Sequence, residues 1–389
     1  MSPSGQASFP AAPAASPRGG VRATWTGLAL VAAWLVVANL YALLSFNRFQ
    51  LPTDTSLEWI GPHSVRPVAP DWDLVALHDR WDAYWYLDIA KNGYALRGEA
   101  QANVVFFPLY PLLVRFVGLV VGGDLVLAGW LVSSVCLALA AAAFARLVQE
   151  FHPEIDPVLP VVFLLAHPAA FFLNAVYSES LFLLLTFAML LAARRGRFWT
   201  AGVFAALASA TRVAGLFAGV LLAAEFIHAH GLRGLLTRRV FALGLAPLGI
   251  LTFFLHHQIV FGDFFLFFEA QRKFGRDLAV TAADLAVKNS PGLVVRLLDY
   301  FFLASALAAG AWALVRLRTS YGVYMLVTLA VAIASGSLLG AARYTMVLFP
   351  IHLAGASLRS PALRFAWLFG STLLQALYIL CFVNHYWTS

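Results

Sequence analysis

From Ala23 to Leu44 the chain runs without a charged side chain, which is the length a helix needs to cross the hydrocarbon core of a bilayer. Apolar runs of this kind recur to the end of the chain, separated by small clusters of arginine. Hydrophobic residues make up 61% of the 389 and charged residues only 12%, against about 45–50% and about 25% in soluble globular proteins. The chain is therefore an integral membrane protein, and its length says little about domain count. The net charge of +7 is the orientation signal of cytoplasmic loops, and no nucleic-acid partner is implied. Cys136 and Cys381 both lie in apolar runs, with no CxxC or zinc spacing.

The positive-inside rule orders these runs into a topology. Residues 1 to 22, rich in Ser, Ala, Pro and Gly, read as a disordered cytoplasmic tail. The apolar run that follows exceeds the roughly 7–15 residues of a signal-peptide core. Residues 47 to 104 hold five basic and eight acidic residues, the balance of a non-cytoplasmic loop. Arg146, Arg194-Arg195-Gly196-Arg197, Arg233 with Arg238 and Arg239, Arg316 with Arg318, and Arg359 with Arg364 are assigned to the cytoplasm. The segment 106 to 121 then lies along the outer interface, and 198 to 229 forms two short helices that turn near Thr211-Arg212. Residues 23 to 389 form one all-α polytopic domain of about 11 transmembrane helices, near 23–45, 125–147, 158–175, 178–193, 198–212, 213–229, 240–260, 292–315, 321–340, 343–358 and 362–383. The external segments are the loop 47–123, the turn Asn174 to Glu179, Thr211-Arg212, the loop 261–291 and Gly340 to Arg343. They hold nearly all the unusual polar residues, which points to chemistry at the outer leaflet.

The densest group is His78-Asp79-Arg80-Trp81-Asp82-Ala83-Tyr84-Trp85-Tyr86, continuing to Gly93, a C-cap candidate. It reads as a short interfacial helix in which Asp79, Asp82 and Tyr86 share a face. Trp81, Trp85 and Tyr86 suit headgroup depth, either as anchors or as contacts to a sugar. Arg212 lies between two short apolar runs, where an unpaired arginine costs about 2.5–3.5 kcal/mol. It is a functional candidate, unless Glu179 or Glu225 pairs with it to hold the bundle together. Arg343 stands at an outer helix start. Arg272, Lys273 and Arg276 occur with Glu269 and Asp277 in a mixed-charge loop. Tyr177 and Glu179 mark the outer end of another helix, where a carboxylate also suits the helix dipole. Asp71-Trp72-Asp73 has the DxD spacing that a metal can use, but such a tripeptide is common by chance in an acidic loop, so no metal or other cofactor is expected. His228, His230, His256 and His257 lack chelating spacing and read as structural.

These pieces resemble a known family. Trp81-Asp82-Ala83 with Leu87, Ile89-Ala90 and Gly93-Tyr94 is similar to the first external loop of the PIG-V family, the second mannosyltransferase of GPI-anchor assembly, and its bacterial relatives. Phe106-Phe107-Pro108-Leu109-Tyr110-Pro111-Leu112, His167-Pro168-Ala169-Ala170 through Tyr177-Ser178-Glu179-Ser180-Leu181-Phe182, and Ser209-Ala210-Thr211-Arg212-Val213-Ala214-Gly215-Leu216 resemble further segments of it. So do Phe261-Gly262-Asp263, Ala270-Gln271 with Gly275-Arg276, and Arg343-Tyr344 with Leu348-Phe349-Pro350. Trp85 stands where the eukaryotic pattern usually has histidine, a departure that bears on the acceptor more than on the reaction type.

The resemblance implies a GT-C glycosyltransferase fold that moves a sugar, as mannose, from a polyprenyl-phosphate carrier to a lipid-linked or glycan acceptor hydroxyl, with Asp82 as the base. Chemistry gives separate reasons for the residue types. The attacking hydroxyl must lose its proton, for which a carboxylate contributes about 10²–10⁴-fold. One base without a covalent intermediate predicts inversion, and arginine can bind the leaving phosphate through two parallel hydrogen bonds. Arg212 and Arg343 are the candidates, with Arg272, Lys273 or Arg276 as substitutes and Asp79 as the substitute base. No Walker, GxGxxG, HExxH or GxSxG motif occurs, which favours a lipid-linked donor over a nucleotide sugar. Phe264 to Phe268 suit lipid packing or a groove for the polyprenyl chain. A chain rich in Ala, Leu, Arg and Val suits a bacterial plasma membrane. The rivals are a sibling enzyme using another polyprenyl-phosphate sugar and a transporter or flippase of lipid-linked saccharides. The latter fits poorly, because no internal repeat is evident and the polar residues gather at one face.

The topology is checked by cysteine labelling in a background lacking Cys136 and Cys381. Cysteines at Ser178 and Ser290 are expected to react from outside and one at Arg195 to be protected; the reverse pattern would invert the topology.

Overall fold

The computed structural model describes residues 17–46, 73–96, 102–273, 293–335 and 340–386. These residues are α-helical or lie in turns, short 3-10 segments and a π-helical stretch, Ala313–Leu317, with no strand among them. Helix α1 covers Pro17–Ser45, and after a 3-10 turn at Val75–His78 come α2, Ala83–Asn92, and α3, Leu109–Val120. Then follow α4 (Leu125–Phe151), α5 (Leu159–Leu165), α6 (Glu179–Arg194), α7 (Phe198–Ser209) and α8 (Ala214–His230). Next are α9 (Leu248–Phe261), α10 (Leu266–Lys273), α11 (Leu293–Trp312) and α12 (Thr319–Ala334). The last three are α13 (Ala341–Met346), α14 (Pro350–Ala356) and α15 (Pro361–Val383).

Helix α4 is the centre of the bundle. Its alanine-rich stretch lets α1 and α6 approach on two sides, as small residues do wherever helices pack inside a membrane. Neighbours then follow in sequence, α6 on α7, α7 on α8, α8 on α12 and α12 on α11, while α15 returns to pack on α1. The stacked rings of Phe144 and Phe187, 4.5 Å apart, join α4 to α6 at the core.

Four helices among the described residues are long and apolar enough to cross a membrane unaided: Arg22–Ser45, Leu125–Phe151, Val295–Leu317 and Pro361–Val383. Several of the other expected spans are short or broken. The run expected as one helix over 158–175 stops at Leu165, because Pro168 has no N–H to donate and disfavours helix before it. The chain continues through a 3-10 turn, Ala170–Leu173, to α6. Backbone of this kind survives at membrane depth only when it is buried in protein, and every residue from Ala169 to Ser180 is buried. Its free carbonyls find side-chain partners. Gln375 of α15 donates to Leu165 O at 2.8 Å and His167 O at 2.7 Å, and its own Oε1 accepts from Trp34 Nε1 of α1 at 3.2 Å. Pro247 breaks the expected 240–260 run in the same way, into a 3-10 stretch, Arg238–Leu245, and α9, bent by 52°. The expected 343–358 helix divides into α13 and α14 before Pro350.

The α7–α8 hairpin turns at Ala210–Val213, as the arginine clusters at its two ends require. It packs so closely on α9 that a Cβ at Gly249 would collide with the Ala206 carbonyl and Ser209 Oγ. Ser178 is fully buried, so a labelling cysteine there is shielded whichever side it faces; Lys91, exposed at the end of α2, is the usable position in the loop expected outside. Ser290 lies outside the described residues. Gly249→Ala is expected to destabilise the detergent-extracted protein by roughly 1–3 kcal/mol of overpacking, read as a lower thermal midpoint. An unchanged midpoint would show that α9 moves away freely.

Candidate active site

The site begins with an unusual backbone. Trp81 takes φ 55, a left-handed conformation rare for a bulky side chain. The turn brings the chain into α2 with Asp82 as its N-terminal flanking residue. The expected common face of Asp79, Asp82 and Tyr86 is thereby corrected, since α2 starts only at Ala83 and Asp79 belongs to the preceding turn. Asp79 is buried and paired with Arg80 Nη1 at 2.6 Å. Asp82 is the more accessible carboxylate, its side chain 26% exposed. Tyr177 fixes its backbone: the tyrosine hydroxyl accepts from Asp82 N at 3.2 Å and donates to Arg80 O at 3.0 Å.

Four side chains from distant parts of the sequence meet here. Arg343 of α13 donates from Nη1 to Asp82 Oδ2 and from Nε to Glu179 Oε1, both at 2.6 Å. Its guanidinium lies 4.8 Å from the centre of the Tyr177 ring and 5.3 Å from that of Phe172, positions that favour a cation over the ring faces. Arg212, in the α7–α8 turn, brings Nη1 to 2.8 Å from the same Glu179 Oε1, an ion pair without the direction of a hydrogen bond. Glu179, first residue of α6, is fully buried and is thus shared by both arginines. Glu225, the other partner considered for Arg212, instead binds Arg318 at 2.6 Å near the opposite ends of α8 and α12. Removing one member of a buried ion pair typically costs about 3–5 kcal/mol, because the other charge is stranded. The four residues therefore act as a unit.

The remaining candidates divide. Tyr86 is buried and its hydroxyl pairs with Ser178 Oγ at 2.9 Å; burial and the nearby Glu179 carboxylate raise its pKa, so it stays a neutral phenol. Trp85 is buried against Phe106 with ring centres 6.3 Å apart, and Trp81 packs on the core. Both anchor the loop in this arrangement. Arg272 is exposed on α10, while the Lys273 side chain, Arg276 and Asp71 lie outside the described residues. Asp73 caps the 3-10 turn before the site, with Oδ1 accepting from Val75 N at 2.9 Å.

Sequence reasoning missed the polar support beneath the loop. His78 Nε2 bonds Asn39 Oδ1 at 2.6 Å, Asn39 Nδ2 donates to Asn174 Oδ1 at 2.9 Å, and Asn174 Nδ2 donates to Ser134 Oγ at 2.8 Å. Val176 N donates to His78 O at 3.1 Å, which ties the loop to the buried break before α6. No spacing announces this network, because its members come from α1, the loop, α4 and the break.

The family model described as Mannosyltransferase (PIG-V) matches residues 30–268. The chain belongs to the PIG-V mannosyltransferase family. Asp82, Glu179 and Arg212 fall inside the matched segment and Arg343 beyond it. The chain is 33% identical over 152 residues to GPI alpha-1,6-mannosyltransferase 2 of Mus musculus, covering 35% of this chain and 29% of that protein. The human protein of the same name is 35% identical over 152 residues, with the same coverage. GPI mannosyltransferase 2 of Chaetomium globosum is 34% identical over 142 residues, covering 33% of this chain and 30% of that protein. The chain thus spans about three-tenths of the length of these relatives. No solved structure matches it.

One pH response follows from the buried support. Burial, with Arg80 nearby, lowers the His78 pKa from 6.5 to about 3. Between these values the unfolded chain binds a proton that the folded one does not, so stability is lost as pH falls through that window. The thermal midpoint of the extracted protein is expected to drop from neutral pH to about pH 4, and His78→Gln, which cannot titrate, to flatten the drop. Equal pH dependence in both proteins would remove His78 from the acid response.

Proposed function

We propose that this protein is a membrane mannosyltransferase that moves mannose from a polyprenyl-phosphate carrier to a hydroxyl of a lipid-linked or glycan acceptor, at the extracytoplasmic face of a bacterial plasma membrane. The observation that carries this reading is the Asp82–Arg343–Glu179–Arg212 chain of contacts. It sets a carboxylate able to take a proton beside cations able to take a phosphate, which are the two needs of transfer from a phosphate-linked sugar. Membership of a mannosyltransferase family supports the choice of sugar.

In the proposed mechanism Arg343 holds Asp82 Oδ2, and Oδ1 faces the acceptor. The acceptor hydroxyl gives its proton to Asp82 as its oxygen bonds to the anomeric carbon. The bond from that carbon to the phosphate oxygen breaks, and its electron pair leaves on the phosphate, whose charge an arginine of the cluster neutralises. Attack opposite the leaving group inverts the anomeric centre, and no second carboxylate is needed as a nucleophile. The proton then passes from Asp82 to water.

Asp82→Asn keeps the shape and removes the basicity. It is expected to lower transfer of labelled mannose by about 10²-fold or more, with donor binding nearly intact. Asp79→Asn acts more mildly on turnover, and because it breaks the buried pair with Arg80 it is expected to lower stability as well. NMR of the product linkage checks inversion. Normal transfer by Asp82→Asn would end the assignment of the base.

A further inference from the structure

We propose that Glu179 is a positioning residue that divides the labour of the two arginines, fixing Arg343 on Asp82 and leaving Arg212 as the group that receives the donor phosphate. The inference rests on the reading of the protein as a transferase using a phosphate-linked sugar, and adds to it which cation does what.

The two arginines are held unequally. Arg343 is committed on three sides: Nε to Glu179 Oε1, Nη1 to Asp82 Oδ2, and its plane over Tyr177 and Phe172. Two of its five N–H donors already go to protein carboxylates, one of them the group that serves as base, so a phosphate drawn to it would compete for the guanidinium that orients that base. Arg212 has one ion-pair contact, to Glu179 Oε1, and one ring neighbour, Phe182, at 5.9 Å. Its Nη1 is buried with no hydrogen-bond acceptor among the described residues. Its side chain is 11% exposed and that of Arg343 16%, so both guanidiniums are shielded from bulk water and their different contacts distinguish them. A guanidinium with N–H groups to spare next to a base already oriented is what an incoming phosphate oxygen requires.

Glu179 creates this inequality. A single oxygen serves both arginines, while Oε2 is buried without a hydrogen-bond partner among the described residues. With Asp82 the four side chains carry no net charge. The cluster can therefore stay buried when empty, without a tightly held counterion that the donor would have to displace. The carboxylate that gives Arg343 its orientation also keeps the phosphate on the Arg212 side.

The test is steady-state kinetics of the full chain in detergent or nanodiscs, with polyprenyl-phosphate mannose as donor and rates normalised to folded, monodisperse protein. Loss of directed charge-assisted hydrogen bonds is worth about tenfold or more. Arg212→Lys is expected to raise the donor KM by about that factor with kcat nearly constant, and Arg343→Lys to lower kcat by about that factor with the donor KM nearly constant. Glu179→Gln is expected to behave as Arg343→Lys does, because Arg343 loses its anchor, and Glu179→Asp to recover part of kcat. A residue that merely holds the bundle together would change the folded yield and leave the constants per folded molecule untouched. The assignment is overturned by a donor KM shift in Arg343→Lys and not in Arg212→Lys, or by wild-type kcat in Glu179→Gln. Should neither Glu179 variant fold, the two lysine variants decide between the roles by the same split. Wild-type protein that transfers no mannose would sink the functional reading itself, whereas active wild type with no split between the arginines sinks only this inference.

Discussion

The structure depends on one carboxylate oxygen. Glu179 Oε1 holds Arg343 and Arg212 together, and through Arg343 it reaches Asp82. Two guanidiniums buried side by side would repel, and each alone would be expensive to remove from water. The shared carboxylate makes the arrangement tolerable and couples α2, α6, α13 and the α7–α8 turn. Elements far apart in sequence are thereby fixed to one another at the point where chemistry is proposed.

That carboxylate is available because a helix is broken. Pro168 ends α5 early, the chain runs as a buried 3-10 turn, and α6 restarts with Glu179 as its first residue. A continuous helix through this stretch would satisfy its backbone internally and leave no such start at this depth. The bundle compensates for the break: Gln375 takes up the freed carbonyls of Leu165 and His167, and the Asn39, His78 and Asn174 network supports the turn from beneath. The helix start also places a carboxylate where the dipole favours it. Polar side chains in the interior thus stand in for backbone hydrogen bonds, which is the condition for irregular structure inside a membrane protein.

The loop that carries Asp82 shows how local and tertiary forces share the work. Gly93 ends α2 with φ 80 and donates its N–H to Ile89 O, a glycine role that was legible in the sequence. The start of α2 was not legible. Nothing local favours Trp81 in a left-handed conformation. Tyr177 imposes it by holding both the Arg80 carbonyl and the Asp82 N–H, and this contact exists only when the break before α6 lies under the loop. Asp79 and Asp82, three apart and equivalent by helical spacing, consequently take different surroundings, one in a buried pair with Arg80 and the other at the arginine pair.

The sequence by itself determined that the protein is a helical bundle in a membrane, because hydropathy and charge are properties of composition and act along the chain. It also determined the α7–α8 turn around Arg212, since the largely apolar segment 198–229 runs between two basic clusters and is too long for one span, and it named Asp82, Glu179, Arg212 and Arg343 as residues of interest. Only the tertiary structure decided how these four pair. Arg212 had two candidate partners, Glu179 and Glu225, and both are acidic residues near apolar helices. Packing set one beside Arg212 and gave the other to Arg318. Helical periodicity reaches a few residues, whereas ion pairs between positions 82, 179, 212 and 343 depend on which helices touch and where proline interrupts them.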